Sequence, residues 1–175
     1  MKFIDLKHQY LILKDKIDNE ILNVLNEGNF ILGEQVFELE KKLADYVGVK
    51  ECVTCASGTD ALVIALMSKG IGKGDVVFTT NFSFFATAEA ISLVGANPIF
   101  VDINEKTFNI DSQLLEDKIK KILKDGTLNP KCIISVDLFG LLANYNELES
   151  ISKKYDLFLI EDGAQSFGAS YKNRK

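Results

Sequence analysis

The sequence predicts an α/β domain with a mainly parallel sheet flanked by helices, and three observations carry that prediction. Short, nearly uninterrupted apolar runs recur: Val76-Val77-Phe78-Thr79-Thr80, Pro98 to Val101, Cys132-Ile133-Ile134-Ser135-Val136 and Leu157-Phe158-Leu159-Ile160. Strands that read as apolar on both faces are buried on both faces, as parallel strands are. Helix-forming segments separate these runs, so strand and helix alternate along the chain. A length of 175 residues with 47% hydrophobic and 26% charged residues is ordinary globular composition, sufficient for one such core, and excludes a disordered chain.

The elements follow in order. Leu13, Ile17, Ile21, Val24 and Leu25 recur at helical spacing, which predicts an amphipathic helix over Tyr10 to Leu25 that ends at Gly28. The apolar patch Phe30-Ile31-Leu32-Gly33 precedes a second helix, Val36 to Tyr46, stopped by Gly48. Cys52 to Cys55 is a short run that reads as a strand, and Ala61 to Met67 is the helix after it. Lys69-Gly70-Ile71-Gly72-Lys73-Gly74-Asp75 is glycine-rich, but it follows a helix and feeds a strand. A dinucleotide-binding loop does the reverse, so this stretch is a connection and an unrelated Rossmann-type nucleotide binder finds little support. Asn81 to Phe85 leads into helix Ala86 to Leu93, and Gly95 ends it before the strand Pro98 to Val101. Asp102 to Asp111 is a polar loop, Ser112 to Leu123 a helix, Lys124 to Pro130 a turn, and Leu148 to Tyr155 falls in a helix.

Ser57-Gly58-Thr59-Asp60-Ala61-Leu62 stands between the run Cys52 to Cys55 and a helix start. The free N–H groups of a helix N-terminus, a glycine that allows close approach, and a hydroxyl from Thr59 form an anion seat suited to a phosphate. The same residues also read as an ordinary capping box, Ser57 with Asp60 and no ligand.

A net charge of -5, with basic residues scattered, argues against a nucleic-acid surface. No apolar run approaches the roughly 18 residues that span a bilayer, and Met1-Lys2-Phe3-Ile4-Asp5 has no signal-peptide core, so a cytoplasmic protein without a membrane partner is expected. Cys52, Cys55 and Cys132, with His8 as the single histidine, are too few for a closed zinc shell, and residues three apart on a strand face opposite sides. Buried, reduced thiols and no metal are expected.

The anion turn, the aromatics Phe82 and Phe84, and Glu161-Asp162 after the strand Leu157 to Ile160 all fall on the carboxyl-terminal edge of the expected sheet. Each has a plain structural alternative: Phe84 as core, the acids as helix caps or loop charges. Together they offer a phosphate anchor, a flat apolar surface and a carboxylate for a protonated ring nitrogen, the set that pyridoxal phosphate requires.

These residues resemble the sugar-nucleotide aminotransferases of the DegT/DnrJ/EryC1/StrS type. Phe30-Ile31-Leu32-Gly33, Ser57 to Leu62, Gly70 to Asp75, Phe84-Phe85-Ala86-Thr87, Val101-Asp102-Ile103 and Glu161-Asp162-Gly163-Ala164-Gln165-Ser166 carry the resemblance, in the family's order and across the whole chain. It implies the aspartate aminotransferase fold (PLP fold type I), with 1–35 as N-terminal helix and arm and 36–175 as part of the pyridoxal-phosphate-binding large domain. By the same resemblance Gly58 and Thr59 bind the cofactor phosphate, Phe84 stacks on the pyridine ring, Asp162 pairs with the ring nitrogen as the catalytic carboxylate, and Gln165 lies near the ring hydroxyl. The implied reaction is transfer of an amino group, with L-glutamate as donor and 2-oxoglutarate as product, to a nucleotide-linked keto-sugar in surface-glycan or amino-sugar biosynthesis, by a homodimer. Glu161 to Tyr171 most resembles the branch making 3-amino sugars of uronic-acid type.

The departures are few. Gly163 stands where the family usually has alanine, and Lys120 to Lys131 is longer than usual, which implies a surface elaboration. The family's Schiff-base lysine belongs to a Ser-Phe-x-x-x-Lys stretch beyond the aspartate motif, which these residues do not reach. Lys172 and Lys175 match no family lysine. The chain is therefore expected to be the N-terminal part of the enzyme and inactive alone. The alternatives are a dehydratase of the same family, in which histidine replaces the lysine, and a non-catalytic fragment that keeps the phosphate turn.

Overall fold

The computed structural model describes residues 3–172, so Met1, Lys2 and Lys175 lie outside the described residues. The chain divides into two compact units, one ending at Val53 and one beginning at Thr54. The first holds helices α1 (Leu6–Glu27) and α2 (Glu34–Val47). The Asp5 carboxylate accepts from the His8 N–H at 3.0 Å, which starts α1 earlier than Tyr10. Gly28 and Gly48, at φ 70° and 80°, close the two helices. Within this unit α1 buries none of its residues, and α2 buries Ala44 alone.

The second unit contains α3 (Gly58–Ser68), β1 (Asp75–Thr80), α4 (Phe85–Leu93), β2 (Asn97–Val101), α5 (Ser112–Asp125), β3 (Asn129–Val136), a 3-10 turn (Leu138–Gly140), α6 (Tyr145–Tyr155) and β4 (Phe158–Asp162). The four strands are parallel in the order β2-β1-β3-β4. From β1 the chain steps to β2 on one side, then crosses back to β3 on the other. Right-handed crossovers in opposite directions put their helices on opposite faces. One face accordingly packs Leu62 and Leu66 of α3 with Ala90 and Ile91 of α4 over Val77, Cys132, Ile134 and Ile160. The other packs Leu115 and Ile119 of α5 with Leu148 and Ile151 of α6 over Val76, Phe78, Val101 and Ile133. Alternate residues of β1 and β3 thus enter two cores, which is why these strands read as unbroken apolar runs. The strand order reverses between β1 and β3, and ligands of such sheets sit at the carboxyl ends beside that point.

Four expectations change. Residues 51–55 form no strand. The β-branched run there has no hydrogen-bonded neighbour in the four-stranded sheet, and propensity without a partner does not make a ladder. All three cysteines are free, but only Cys132 is buried, with burial pushing its thiol up to about 12; Cys52 is half-buried and Cys55 exposed. β3 begins at Asn129, inside the expected turn, because the Asn129 N–H donates to the Gly74 carbonyl at 3.2 Å and its side-chain amide to Asp75 Oδ1 at 2.8 Å. β4 runs on to Asp162, pairing Ser135 with Glu161 and Val136 with Asp162. The acids expected after the strand are therefore its last two residues, and the pleat sends them to opposite faces. Among the described residues no helix is long and apolar enough to cross a membrane.

Candidate functional site

At the end of β4 the Asp162 side chain meets the first turn of α4. Thr87 Oγ1 donates to Asp162 Oδ2 at 3.0 Å, and the Ala164 N–H donates to Oδ1 at 3.3 Å. Thr87 is buried and Asp162 half-buried. Each carboxylate oxygen still has lone-pair capacity after these bonds, enough for a further donor from the open side. Phe84 is the residue before α4, in extended backbone, and its carbonyl accepts from the Thr87 N–H at 3.3 Å. Its ring is 74% exposed, so it takes no part in either core. Phe82 behaves differently: it packs on Phe108 at 5.9 Å and on Phe139 at 6.4 Å, a local aromatic cluster.

The start of α3 satisfies both readings of Ser57 to Asp60 at once. Ser57 Oγ accepts from the Asp60 N–H at 3.1 Å and donates to Asp60 Oδ2 at 2.8 Å, while the Ala61 N–H reaches the Ser57 carbonyl at 3.0 Å. The cap uses the third and fourth amides and leaves those of Gly58 and Thr59 without an acceptor among the described residues. Nothing lies within 4 Å of where a Cβ on Gly58 would stand, and its φ is not left-handed. The protein's own packing and backbone thus give no reason for glycine at this position, whereas a ligand drawn onto the two free amides does.

Gln165 sits in the turn after β4, where its Oε1 accepts from the Phe139 N–H at 2.6 Å. That bond fixes which end of the amide is oxygen and leaves the NH2 group without a partner among the described residues. Phe139 holds φ 58°, the left-handed region that costs a non-glycine residue on the order of 1 kcal/mol or more. Gly140 follows at φ 84°, and a Cβ there would stand 3.1 Å from the Gln165 carbonyl oxygen. The two loops are pressed together.

Below this turn lies a buried acid that the sequence pattern did not single out. Asp137, fully buried at the end of β3, accepts at Oδ1 from the Ala143 N–H at 2.9 Å and the Tyr145 hydroxyl at 2.8 Å, and at Oδ2 from Ser166 Oγ at 3.0 Å. Its own N–H donates to the Asp162 carbonyl at 3.2 Å. Glu161 is exposed as a residue, and its pairing with Ser135, two residues before Asp137, puts its side chain on the same side of the sheet as Asp137. Burial first, then the Asp137 charge, pushes Glu161 up to about 7. Burial, with Asp137 and Glu161 adding to it, also holds the Tyr145 hydroxyl neutral, well above the usual phenol range.

Of the residues singled out from sequence, hydrogen bonds through Thr87 bring Phe84 and Asp162 together, and Gln165 belongs to the turn that follows Asp162. Gly58 and Thr59 head a helix that packs on the same face of the sheet through Leu62 and Leu66, and no hydrogen bond joins them to the others. Thr87, Phe139 and Asp137 had no assigned part. Asp137 does carry a legible signal, since it ends the apolar run of β3 much as Asp162 ends that of β4.

The sheet order and the groups at its carboxyl edge define a doubly wound α/β domain with the candidate site on that rim. The chain belongs to the DegT/DnrJ/EryC1/StrS aminotransferase family, which residues 12–175 match. It is 50% identical over all 175 residues to the UDP-2-acetamido-2-deoxy-3-oxo-D-glucuronate aminotransferase of Pseudomonas aeruginosa, covering 47% of that protein. The fold matches a DegT/DnrJ/EryC1/StrS aminotransferase from Brucella abortus with a TM-score of 0.94 and 48% identity, over 96% of this chain and 45% of that one. It also matches NtdA from Bacillus subtilis with bound cofactor PMP, at a TM-score of 0.78 and 35% identity, over 88% of this chain and 34% of that one. The chain spans about half the length of the curated relatives it matches.

Proposed function

We propose that the protein carrying this chain is a pyridoxal-phosphate-dependent aminotransferase that moves an amino group from L-glutamate to a nucleotide-linked keto-sugar, releasing 2-oxoglutarate. The observation that carries this reading is Asp162: a half-buried carboxylate at the end of β4, oriented by the Thr87 hydroxyl and next to the exposed Phe84. Pyridoxal phosphate, when bound, supplies an electron sink and carries the amino group between donor and acceptor. The chain's own residues supply the setting. Asp162 holds a proton on the ring nitrogen by charge, the free amides of Gly58 and Thr59 with the Thr59 hydroxyl hold the phosphate, Phe84 covers the ring, and the Gln165 NH2 group donates to the ring hydroxyl. The observed groups suit these tasks: two unused helix amides over an open glycine, and a carboxylate with spare acceptor capacity.

The acceptor is a 3-keto sugar of uronic-acid type, in keeping with the 50% identity to the Pseudomonas aeruginosa relative. Residues 1–35 serve as an N-terminal helix and arm, and 36–175 contribute to a large cofactor-binding domain that a homodimer completes in the cytoplasm. The test uses the open reading frame that contains these residues. Purified protein is titrated with pyridoxal phosphate, followed by absorbance, then supplied with L-glutamate and a UDP-linked 3-keto-uronate, with 2-oxoglutarate as the readout. Cofactor uptake with release of 2-oxoglutarate is expected; a protein that binds no pyridoxal phosphate refutes the assignment.

A further inference from the structure

The turn that carries Gln165 and follows Asp162 has short bonds of its own. Ser166 N–H reaches the Gly163 carbonyl at 3.0 Å and Ala169 N–H the Ser166 carbonyl at 2.8 Å, and both bonds lie within the turn. The Ala164 N–H ties it to Asp162 Oδ1 at 3.3 Å, and further ties come from the opposite loop, after β3. Asp137 grips Ser166 through Oδ2 and the Asp162 carbonyl through its own N–H, and the Phe139 N–H grips Gln165. The same Asp137 carboxylate binds Ala143 N–H and the Tyr145 hydroxyl, which secures the loop to the start of α6. One buried side chain therefore joins three pieces of backbone at the candidate site, without itself facing the ligand side of the sheet.

We infer that Asp137 is a positioning residue for the cofactor turn, acting through Ser166, and that Glu161 is its proton partner. This rests on the reading of the β4 edge as a cofactor site. The two carboxyl groups cannot both be charged cheaply in one half-buried place, so one retains a proton and the pair is held together by it. Among the described residues the titratable groups in reach are Asp137 from the end of β3 and Tyr145 from α6, and no cation among them acts on Glu161. With Glu161 raised to about 7, the native state keeps a proton that the unfolded chain releases at ordinary carboxyl pH. The contribution to stability is therefore greatest at low pH and declines as pH rises toward 7, with no further loss above it. As pH rises to that value a second negative charge develops beneath the turn, and the turn loosens.

The test is hydrogen exchange on the purified protein, which needs no cofactor, paired with pyridoxal phosphate titration. Ser166→Ala removes the link between Asp137 and the turn, together with the longer 3.4 Å contact from Ser166 Oγ to the Gly163 carbonyl. It is expected to speed exchange across 163–169 about tenfold while β1 and β3 stay protected, and to raise the dissociation constant for pyridoxal phosphate about tenfold. Asp137→Asn keeps the shape and is expected to do the same, with Glu161 titrating lower. In the wild-type protein, protection of 163–169, corrected for intrinsic exchange, falls between about pH 4.5 and about pH 7 and is level above that; Glu161→Gln is expected to abolish that dependence. Unchanged exchange in Ser166→Ala, or a pH dependence that survives Glu161→Gln, overturns the inference. A wild-type protein that takes up no pyridoxal phosphate refutes the proposed function instead, and the exchange result still decides the part played by Asp137 in holding the turn.

Discussion

Gly58→Ala separates a helix cap from a phosphate seat, because the free protein gains stability under either reading while cofactor affinity falls only under the second. Gly58 is the first residue of α3, its φ is not left-handed, and no atom lies within 4 Å of an added Cβ. Alanine therefore meets no strain in the free protein. It removes backbone freedom from the unfolded chain and favours the helix, a gain of about 0.5–1 kcal/mol, or a Tm rise of about 1–4 °C for a domain of this size. The added methyl leans toward the helix N-terminus, as every helical Cβ does, and so enters the space before the free Gly58 and Thr59 amides. Losing one charge-assisted hydrogen bond there costs about 1.5–3 kcal/mol, which weakens pyridoxal phosphate about ten- to a hundredfold. Thermal unfolding of the cofactor-free protein and an absorbance titration with pyridoxal phosphate read the two effects separately. A more stable variant with undiminished cofactor affinity would leave Ser57 to Asp60 as a cap alone.

Further outcomes follow from the same geometry. Phe84→Ala is expected to change the stability of the cofactor-free protein by less than about 0.5 kcal/mol, since the ring is 74% exposed, while lowering pyridoxal phosphate affinity several-fold by equilibrium titration. Thr87→Val leaves Asp162 without its buried donor; a loss of about 1 kcal/mol in urea unfolding is expected, at the low end for a bond to a charged group because half-buried Asp162 can recruit water, and an unchanged midpoint would count against the contact. Asp162→Asn is expected to lower transamination by orders of magnitude with an unaltered circular dichroism spectrum, and near-normal turnover would remove Asp162 from its proposed role. Leu66→Ala empties a fully buried site between α3 and the sheet and is expected to cost about 2–5 kcal/mol in denaturant titration; a cost below about 1 kcal/mol would contradict the packing of α3.

Much of the architecture was legible in the sequence because its causes are local. Unbroken apolar runs marked β1, β2, β3 and β4, Gly28 and Gly48 marked two helix ends, and Ser57 with Asp60 marked the start of α3. Gly58, Thr59, Phe84, Asp162 and Gln165 were marked as candidates by resemblance to the family's motifs, each a short run of adjacent residues. Partnership was not legible. Residues 51–55 have the composition of a strand and no ladder, Asn129 joins β3 because Gly74 and Asp75 are beside it, and Glu161 and Asp162 became strand residues by pairing with Ser135 and Val136. The bonds that orient the candidate site, Thr87 to Asp162, Phe139 to Gln165 and Ser166 to Asp137, link residues 75, 26 and 29 positions apart. Periodicity and caps act within a few residues and leave a mark on the sequence there, whereas a hydrogen bond across such separations exists only once the sheet has set its strand order and register, and that only the tertiary structure decided.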